Sequence, residues 1–339
     1  MRVAIVNDSA LAIEALRRVV ERGGHTIAWV ARDGVEANAQ AKSDRPDVLL
    51  MDLRMPVMGG VECTRRIMAE APFAILVVTA TVSGHFEQVY DAMGAGALDA
   101  VNTPVLGPKG DLQGDHALLD KLATIAKLVA ARPPVGRPRP PTSPPVATRH
   151  AVPPMVAIGA STGGPQALAD LLGELPRDLG AAIVIIQHVD ADFAIGLASW
   201  LKDKSGFPTE VAVAGGTPKA GVALIAATND HLILEADRRL AYTAHPRKYP
   251  YRPSVDVFFH SAALHWPRPS VAAVLTGMGR DGAAGLLALR EARWRTIAQD
   301  EATSVVYGMP KAAAELEAAM EVLPLPKIAR AIAHGLRHV

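Results

Sequence analysis

Three residues of this 339-residue chain have the types and settings for hydrolytic chemistry: Ser161, His188 and Asp281. Ser161 lies in MVAIGASTGGP (155–165), an apolar run that stops at Gly159, shows one hydroxyl and continues through two glycines to a proline. A strand-to-helix turn of this kind exposes a hydroxyl beside backbone N–H groups, and the helix dipole favours developing negative charge there. Free serine is a weak nucleophile; it needs a base within hydrogen-bond reach and a third group to orient that base. AIVIIQHVD delivers His188 just past the next apolar run, and VLTGMGRDGAAG delivers Asp281 in a glycine-rich turn. In that turn Gly277, Gly279 and Gly282 permit close backbone approach, and the N–H of Met278 is placed to face an oxyanion. The chain order Ser, His, Asp differs from the α/β-hydrolase order and from the protease orders.

Each residue also has a plainer reading. Ser161 fits a helix N-cap, His188 a satisfied loop histidine, and Asp281 an N-cap before the next helix. All three plain roles would have to coincide. A rival chemistry is phosphate or dinucleotide binding by GASTGG. That loop lacks the glycine spacing of G-x-G-x-x-G and the lysine of a P-loop. Gln187 and His188 close the second strand where a ribose-binding acid is expected.

A second cluster is acidic. Asp8 follows the apolar run Val3–Val6 and Asp52 follows Val48–Met51; Thr79 ends Ala74–Val78 and Pro104 comes after Leu98–Val101. In a parallel sheet these ends share the carboxyl edge, where ligands bind. Two carboxylates meeting there suit a magnesium ion, which takes hard oxygen ligands and keeps several waters. By spacing alone the acids also fit helix caps.

The elements that must position these groups are legible as alternation. Apolar, β-branched runs at Val3–Val6, Thr26–Val30, Val48–Met51, Ala74–Val78 and Leu98–Val101 alternate with helical patterns at Ala10–Glu21, Val35–Ala41, Gly60–Ala69, His85–Met93 and His116–Val129. This predicts a five-stranded parallel sheet covered on both faces over residues 1–130. Residues 131–154 include RPPVGRPRPPTSPPVATRHAVPP, a proline-dense spacer that makes neither helix nor central strand. Residues 155–339 alternate again. Strands are expected at Met155–Ile158, Ala182–Ile186, Val222–Ile225, Val271–Leu275 and Thr296–Ala298. Helices are expected at Pro165–Leu172, Phe193–Leu201, Val255–His265, Gly282–Glu291 and Met309–Ala319. Leu232–Glu235 and Leu240–Thr243 read as a hairpin, and residues 327–339 as a basic terminal helix. The fold class is α/β throughout: a flavodoxin-like five-stranded domain, then a doubly wound, mostly parallel one.

Composition narrows the function. Apolar residues make up 50% and charged residues 20% of the chain, which supports buried cores. A net charge of +1 argues against a dedicated nucleic-acid or membrane-surface protein. No apolar run approaches the ~18 residues of a membrane span, and MRVAIVNDSA meets an acid at Asp8, unlike a signal peptide. Cys63 is the single cysteine. It rules out an intrachain disulfide and a Cys-based zinc site, and makes a cytoplasmic location the natural one.

The first half resembles the receiver domain of response regulators, through VNDS at 6–9, MDLRMPVMGG at 51–60, VVTA at 77–80 and GALDAVNTP at 96–104. The resemblance implies that Asp52 accepts a phosphoryl group. It also implies that Asp8, Asp52 and the backbone carbonyl of Arg54 hold Mg2+, with Thr79 bonding a phosphoryl oxygen. Three positions depart from the pattern. Asn7 replaces the first member of the acidic pair, Thr103 stands where the family has a lysine, and Ala100 stands where an aromatic switch residue is common. Charge still balances. Three acids against Mg2+ and one lysine sum to zero, and so do two acids against Mg2+ alone. The departures therefore describe a retuned site whose response to phosphorylation is weaker.

The whole chain resembles the chemotaxis-type protein-glutamate methylesterases, the CheB family. The matching stretches are AIGASTGGPQAL at 157–168, IIQHV at 185–189, RPSVDVFFHSAA at 252–263, VLTGMGRDGAAG at 274–285 and AQDEATSVVYGMPKAA at 298–313. The resemblance implies that Ser161 attacks a receptor glutamate γ-methyl ester, that His188 shuttles the proton, and that Asp281 fixes the imidazole tautomer. It places the Met278 N–H, with Thr162 nearby, at the tetrahedral intermediate. No cofactor is implied for the esterase. Some members also deamidate receptor glutamine. The implied partners are methyl-accepting chemoreceptor-type proteins and a CheA-type histidine kinase, with membranes met only through receptors. In this family the unphosphorylated receiver covers the esterase site. Asp190 departs, since many members carry proline there. A finer resemblance, through Ile5–Asp8, Ala12–Arg18, Thr103–Pro104, Gln187–Asp190, Ala226–Leu232 and Tyr251–Phe259, is to the Wsp-type branch of surface sensing. The competing class is a non-enzymatic receiver-linked binding regulator, against which the intact Ser161, His188 and Asp281 argue.

Overall fold

The computed structural model describes residues 1–79, 86–107, 111–130, 152–247, 249 and 251–337. They fall into two compact units, Met1–Gly136 and Arg137–Val339. The proline-rich spacer as far as residue 151, His85 at the expected start of the fourth helix, and Ala80 of VVTA lie outside the described residues.

Five strands form the first sheet: β1 (Arg2–Val6), β2 (Thr26–Ala31), β3 (Val48–Met51), β4 (Ala74–Thr79) and β5 (Asp99–Asn102). They stand in the order β2-β1-β3-β4-β5, and every pairing is parallel. β3 is buried at every residue and β1 at all but its first, as continuous apolar runs require when helices cover both faces. The helices are α1 (Ala10–Arg22), α2 (Gly34–Ser43), α3 (Gly60–Glu70), α4 (Phe86–Gly94) and α5 (Asp115–Ala130). α1 buries Ile13, Leu16, Val19 and Val20, a stripe at helical spacing. The caps of α1 and α3 are Ser9 and Gly59, so neither Asp8 nor Asp52 caps the helix that follows it. A two-residue hairpin, β6 (Val105–Leu106) with β7 (Leu112–Gln113), precedes α5.

The second sheet has seven strands: β8 (Met155–Ala160), β9 (Ala182–Gln187), β10 (Thr209–Val211), β11 (Ala223–Ile225), β14 (Val271–Val274), β15 (Arg295–Gln299) and β16 (Glu321–Leu323). Their order is β10-β11-β9-β8-β14-β15-β16, parallel throughout. The expected antiparallel element is confined to a separate hairpin, β12 (His231–Leu234) with β13 (Leu240–Thr243). Around the sheet stand α6 (Gly164–Glu174), α7 (Ala191–Ser205), α8 (Val255–His265), α9 (Ala283–Glu291), α10 (Met309–Glu315) and α11 (Leu325–Leu336). The core joins sheet residues to Phe258, Phe259, Trp294 and Met309. The strand order reverses between β1 and β3 in the first sheet and between β8 and β14 at the centre of the second, where β10 also lies outside β11 at one edge. Ligands of open α/β sheets bind at the carboxyl side of such a reversal.

Candidate functional site

Ser161, His188 and Asp281 follow β8, β9 and β14, three adjacent strands, on one sheet edge. Backbone bonds draw their turns together: Ser161 N–H donates to Thr276 O at 3.0 Å, and His188 N–H to Ala160 O at 3.0 Å. Ser161 is not the cap of α6. That place belongs to Gly163, whose φ of 77° lies in the left-handed region glycine favours. Gln187 is buried, and its Nε2 donates to Ser161 O at 2.8 Å and to His188 O at 3.3 Å.

His188 Nε2 lies 2.7 Å from Asp281 Oδ2, with only 7% and 5% of the two side chains exposed. The other ring nitrogen, Nδ1, is buried without a hydrogen-bond partner among the described residues. Tyr251 stacks on the imidazole, with centroids 4.4 Å apart and planes 10° apart. Asp281 carries no cap role for α9, whose N-cap is Gly282. Its carboxylate instead sits on the amino end of α8. There it accepts from Ser254 Oγ at 2.8 Å, Val255 N–H at 2.7 Å and Asp256 N–H at 3.1 Å. Burial raises the Asp281 carboxyl, but hydrogen bonds from His188, Ser254 and Asp256 and the His188 charge outweigh it, leaving it below the usual carboxylate range.

Behind Ser254 stands His231. Its Nδ1 accepts the Ser254 N–H at 3.2 Å and its Nε2 faces Pro246 O at 3.2 Å, which puts the proton on Nε2. Burial, ahead of other causes, lowers its pKa. Sequence reasoning gave no role to Tyr251, Ser254, Asp256 or His231. The signal was the run at 252–263, whose serine and aspartate begin an apolar helix.

The turn after β14 leaves donors free. Gly277 N–H is taken by Val306 O at 3.0 Å, whereas among the described residues the N–H groups of Met278 and Thr162 have no recorded acceptor. Asp190, the departure from proline, accepts from Asn229 Nδ2 at 3.4 Å, while Asn229 Oδ1 accepts the Ala191 N–H at 3.0 Å. The residue thus ties the rim beyond His188 to the loop after β11. A cleft of about 350 Å3 lined by Arg295, Glu321, Lys327, Arg330, His334 and Arg337 opens on the opposite, amino edge of the sheet and holds none of these groups.

In the first unit Asp8 and Asp52 follow β1 and β3, the strands that flank the order reversal. Asp52 Oδ1 accepts from Leu53 N–H at 2.7 Å and Arg54 N–H at 3.4 Å, and Oδ2 accepts from Asn7 Nδ2 at 3.0 Å. Burial first, with the neighbouring Asp8 charge, raises the Asp52 carboxyl against those bonds. A Cβ on Gly60 would stand 2.1 Å from Asp52 O, so the loop after β3 closes onto Asp52 only because residue 60 has no side chain. Thr79 is buried; Thr103 N–H donates to Thr79 O at 2.9 Å, and Thr103 Oγ1 is buried without a hydrogen-bond partner among the described residues. Lys121 pairs with Asp99, and Ala100 is buried. Two carboxylates close enough to act on each other, unused as caps, are a hard-oxygen set that suits Mg2+ in type and charge. Cys63 is buried, donates to Gly34 O at 3.3 Å, and burial pushes its thiol up to about 12.

Residues 156–332 match the family described as CheB methylesterase, and residues 3–109 match the response regulator receiver domain. The chain belongs to the CheB methylesterase family. A relative in Burkholderia thailandensis named protein-glutamate methylesterase/protein-glutamine glutaminase 4 is 54% identical over 97% of this chain and 96% of its own. One from Cupriavidus metallidurans, named protein-glutamate methylesterase/protein-glutamine glutaminase 2, is also 54% identical with the same coverage of 97% and 96%. The CheB methylesterase catalytic domain of Thermotoga maritima is 34% identical with a TM-score of 0.52, covering 54% of this chain and 99% of that one. This CheB-family chain therefore joins a receiver domain to a methylesterase domain. Among its described residues no helix is long and apolar enough to cross a membrane.

Proposed function

We propose that the protein hydrolyses glutamate γ-methyl esters on methyl-accepting chemoreceptor-type proteins in the cytoplasm, with Ser161 as nucleophile. The observation that carries this reading is the His188 ring. Asp281 engages Nε2, and Nδ1 is left buried and unpartnered. Nδ1 is then the basic nitrogen and Nε2–H the oriented one. Ser161 Oγ adds to the ester carbonyl while Nδ1 takes its proton. The oxyanion is met by the Met278 N–H, with Thr162 beside it, and Asp281 stabilises the imidazolium. Collapse breaks the C–O bond, and the Nδ1 proton leaves with methanol. Water repeats the sequence on the acyl-serine, regenerating Ser161 and leaving glutamate. With glutamine as substrate the same steps release ammonia, the second activity in the relatives' names.

In the receiver, Asp52 is the proposed phosphoacceptor, charged by a CheA-type histidine kinase. Asp8, Asp52 and the Arg54 carbonyl would hold Mg2+, which when bound neutralises charge between the carboxylates and the phosphoryl oxygens. Thr79 donates to one phosphoryl oxygen, and Thr103 supplies a hydroxyl where the receiver pattern has a lysine. Placement in the Wsp-type branch rests on the sequence runs given above and belongs to this proposal.

The test is methanol release from a methyl-esterified receptor. Ser161→Ala is expected to lose about 10^3-fold or more in rate while still binding receptor. Hydrolysis unchanged by that substitution would remove Ser161 as the nucleophile, and a wild-type protein that binds receptor but releases no methanol would establish the non-enzymatic regulator instead.

A further inference from the structure

Two buried aspartates at the esterase site are bonded crosswise. Asp281, just before α9, accepts the first N–H groups of α8, from Val255 at 2.7 Å and Asp256 at 3.1 Å. Asp256, in the first turn of α8, returns the arrangement: its Oδ1 accepts the Gly285 N–H of α9 at 2.7 Å. The amino ends of the two helices therefore abut, and each is closed by a carboxylate from the other. The fit is tight. A Cβ on Gly285 would stand 2.6 Å from Phe259 Cβ and 3.0 Å from the Asp256 backbone. Asp256 and Asp281 are 7% and 8% exposed, so water does not replace either bond. Each helix end presents unpaired N–H groups and a positive dipole, which is where a carboxylate is favoured.

We infer that Asp256 is a positioning residue for hydrolysis: by fixing the amino end of α9 it fixes the turn carrying Asp281, and through Asp281 the orientation of His188. The inference rests on the hydrolytic reading of Ser161, His188 and Asp281. Asp256 touches neither substrate nor the His188 ring. Its effect passes through backbone bonds at the start of α9, first the one from Gly285 and second the one from Gly282, and an asparagine oxygen in the place of Oδ1 keeps the Gly285 bond. Charge at position 256 is therefore dispensable, and the acceptor is not.

The test uses the full chain and a helical peptide carrying a glutamate γ-methyl ester. Asp256→Ala is expected to lower kcat about ten- to a hundredfold, the cost of displacing a catalytic group by a fraction of an ångström to 1 Å, with KM changed less than about twofold. Asp256→Asn is expected to restore kcat to within about threefold, because it keeps the Gly285 bond. The proton shared by His188 Nε2 and Asp281, followed by nuclear magnetic resonance, is expected to shift in Asp256→Ala and not in Asp256→Asn. An unchanged kcat in folded Asp256→Ala overturns the inference, as does an Asn variant as impaired as the Ala variant. Should Asp256→Ala not fold, Asp256→Glu replaces it: the added methylene moves the oxygen from Gly285 while keeping the charge, and an unchanged kcat there overturns the inference. A wild-type protein that releases no methanol overturns the hydrolytic reading, and the resonance then decides whether Asp256 sets the His188–Asp281 geometry.

Discussion

At Gly277 a missing side chain makes room for Ser161, the proposed nucleophile. A Cβ built there would stand 2.8 Å from Ser161 Cβ and 2.4 Å from Met309 Sδ. Methionine can swing away, but Ser161 is held by its own N–H and carbonyl. Gly277→Ala is therefore expected to displace Ser161 and cost about 10^2-fold in kcat, read as methanol release against an unchanged circular dichroism spectrum. Asp281 makes a second prediction. Its folded pKa is depressed, with burial overcome by His188, Ser254 and the Asp256 N–H. The stabilisation it provides is thus fully present above its unfolded value of about 3.9 and is lost as pH falls through the lower folded value. Urea unfolding of wild type and Asp281→Asn should differ by a constant amount from neutral pH down to about 4, with the gap closing only in stronger acid. The three proposed catalytic residues could be picked out in the sequence because each type is distinctive and each stands in a turn that follows an apolar run. Their supports were not, since a serine and an aspartate at a helix start look like ordinary caps until the fold brings Asp281 onto them.

Among elements, the strands with four or more apolar residues were legible from sequence, and the edge strands β10 and β16 were not. Each spans three residues with a glutamate among them, too short for any alternation to register. Helix ends divide in the same way. α1 closes with Gly24 N–H to Glu21 O at 3.0 Å and His25 N–H to Val20 O at 3.0 Å, the left-handed glycine ending a sequence reader expects. α9 and α10 close with the same pair of bonds, but the left-handed residues are Arg293 (φ 65°) and Glu317 (φ 53°). This is why α10 stops at Glu315 when the pattern predicts Ala319. Side chains at such positions carry strain of about 1 kcal/mol. Arg293→Gly is expected to raise the melting temperature of the esterase domain by about 2–4 °C, and a lower temperature would show that the Arg293 side chain makes a compensating contact. Ser254 has two duties, accepting the Val257 N–H at 3.4 Å and donating to Asp281 at 2.8 Å. Ser254→Ala should cost about 1 kcal/mol in stability as a lost cap, measured by urea unfolding.

Across the whole molecule, both candidate sites stand at the carboxyl edge of a sheet where the strand order reverses; the edge was legible once the alternation was read as parallel sheet, whereas the reversal depends on a strand order that alternation does not encode. The departures in the receiver have consequences for regulation. Asn7 donates to Asp52 where a carboxylate would repel it, and Thr103 presents a hydroxyl in place of an ammonium. We expect a small-molecule phosphodonor with Mg2+ to activate methanol release by a smaller factor than in lysine-bearing relatives, and Thr103→Lys to enlarge that factor. Each tenfold step requires about 1.4 kcal/mol of differential stabilisation, so equal ratios in wild type and Thr103→Lys would show that the hydroxyl already supplies it. The placement of Ser161, His188 and Asp281 on one sheet edge also has an engineering consequence. The connection between α6 and β9 emerges on the other edge, with Asp178 and Gly180 open to solvent and no site group among its residues. A fluorescent reporter spliced in after Asp178 should be carried without loss of hydrolysis, turning the far side of the enzyme into a handle by which the protein can be followed in living cells while it works.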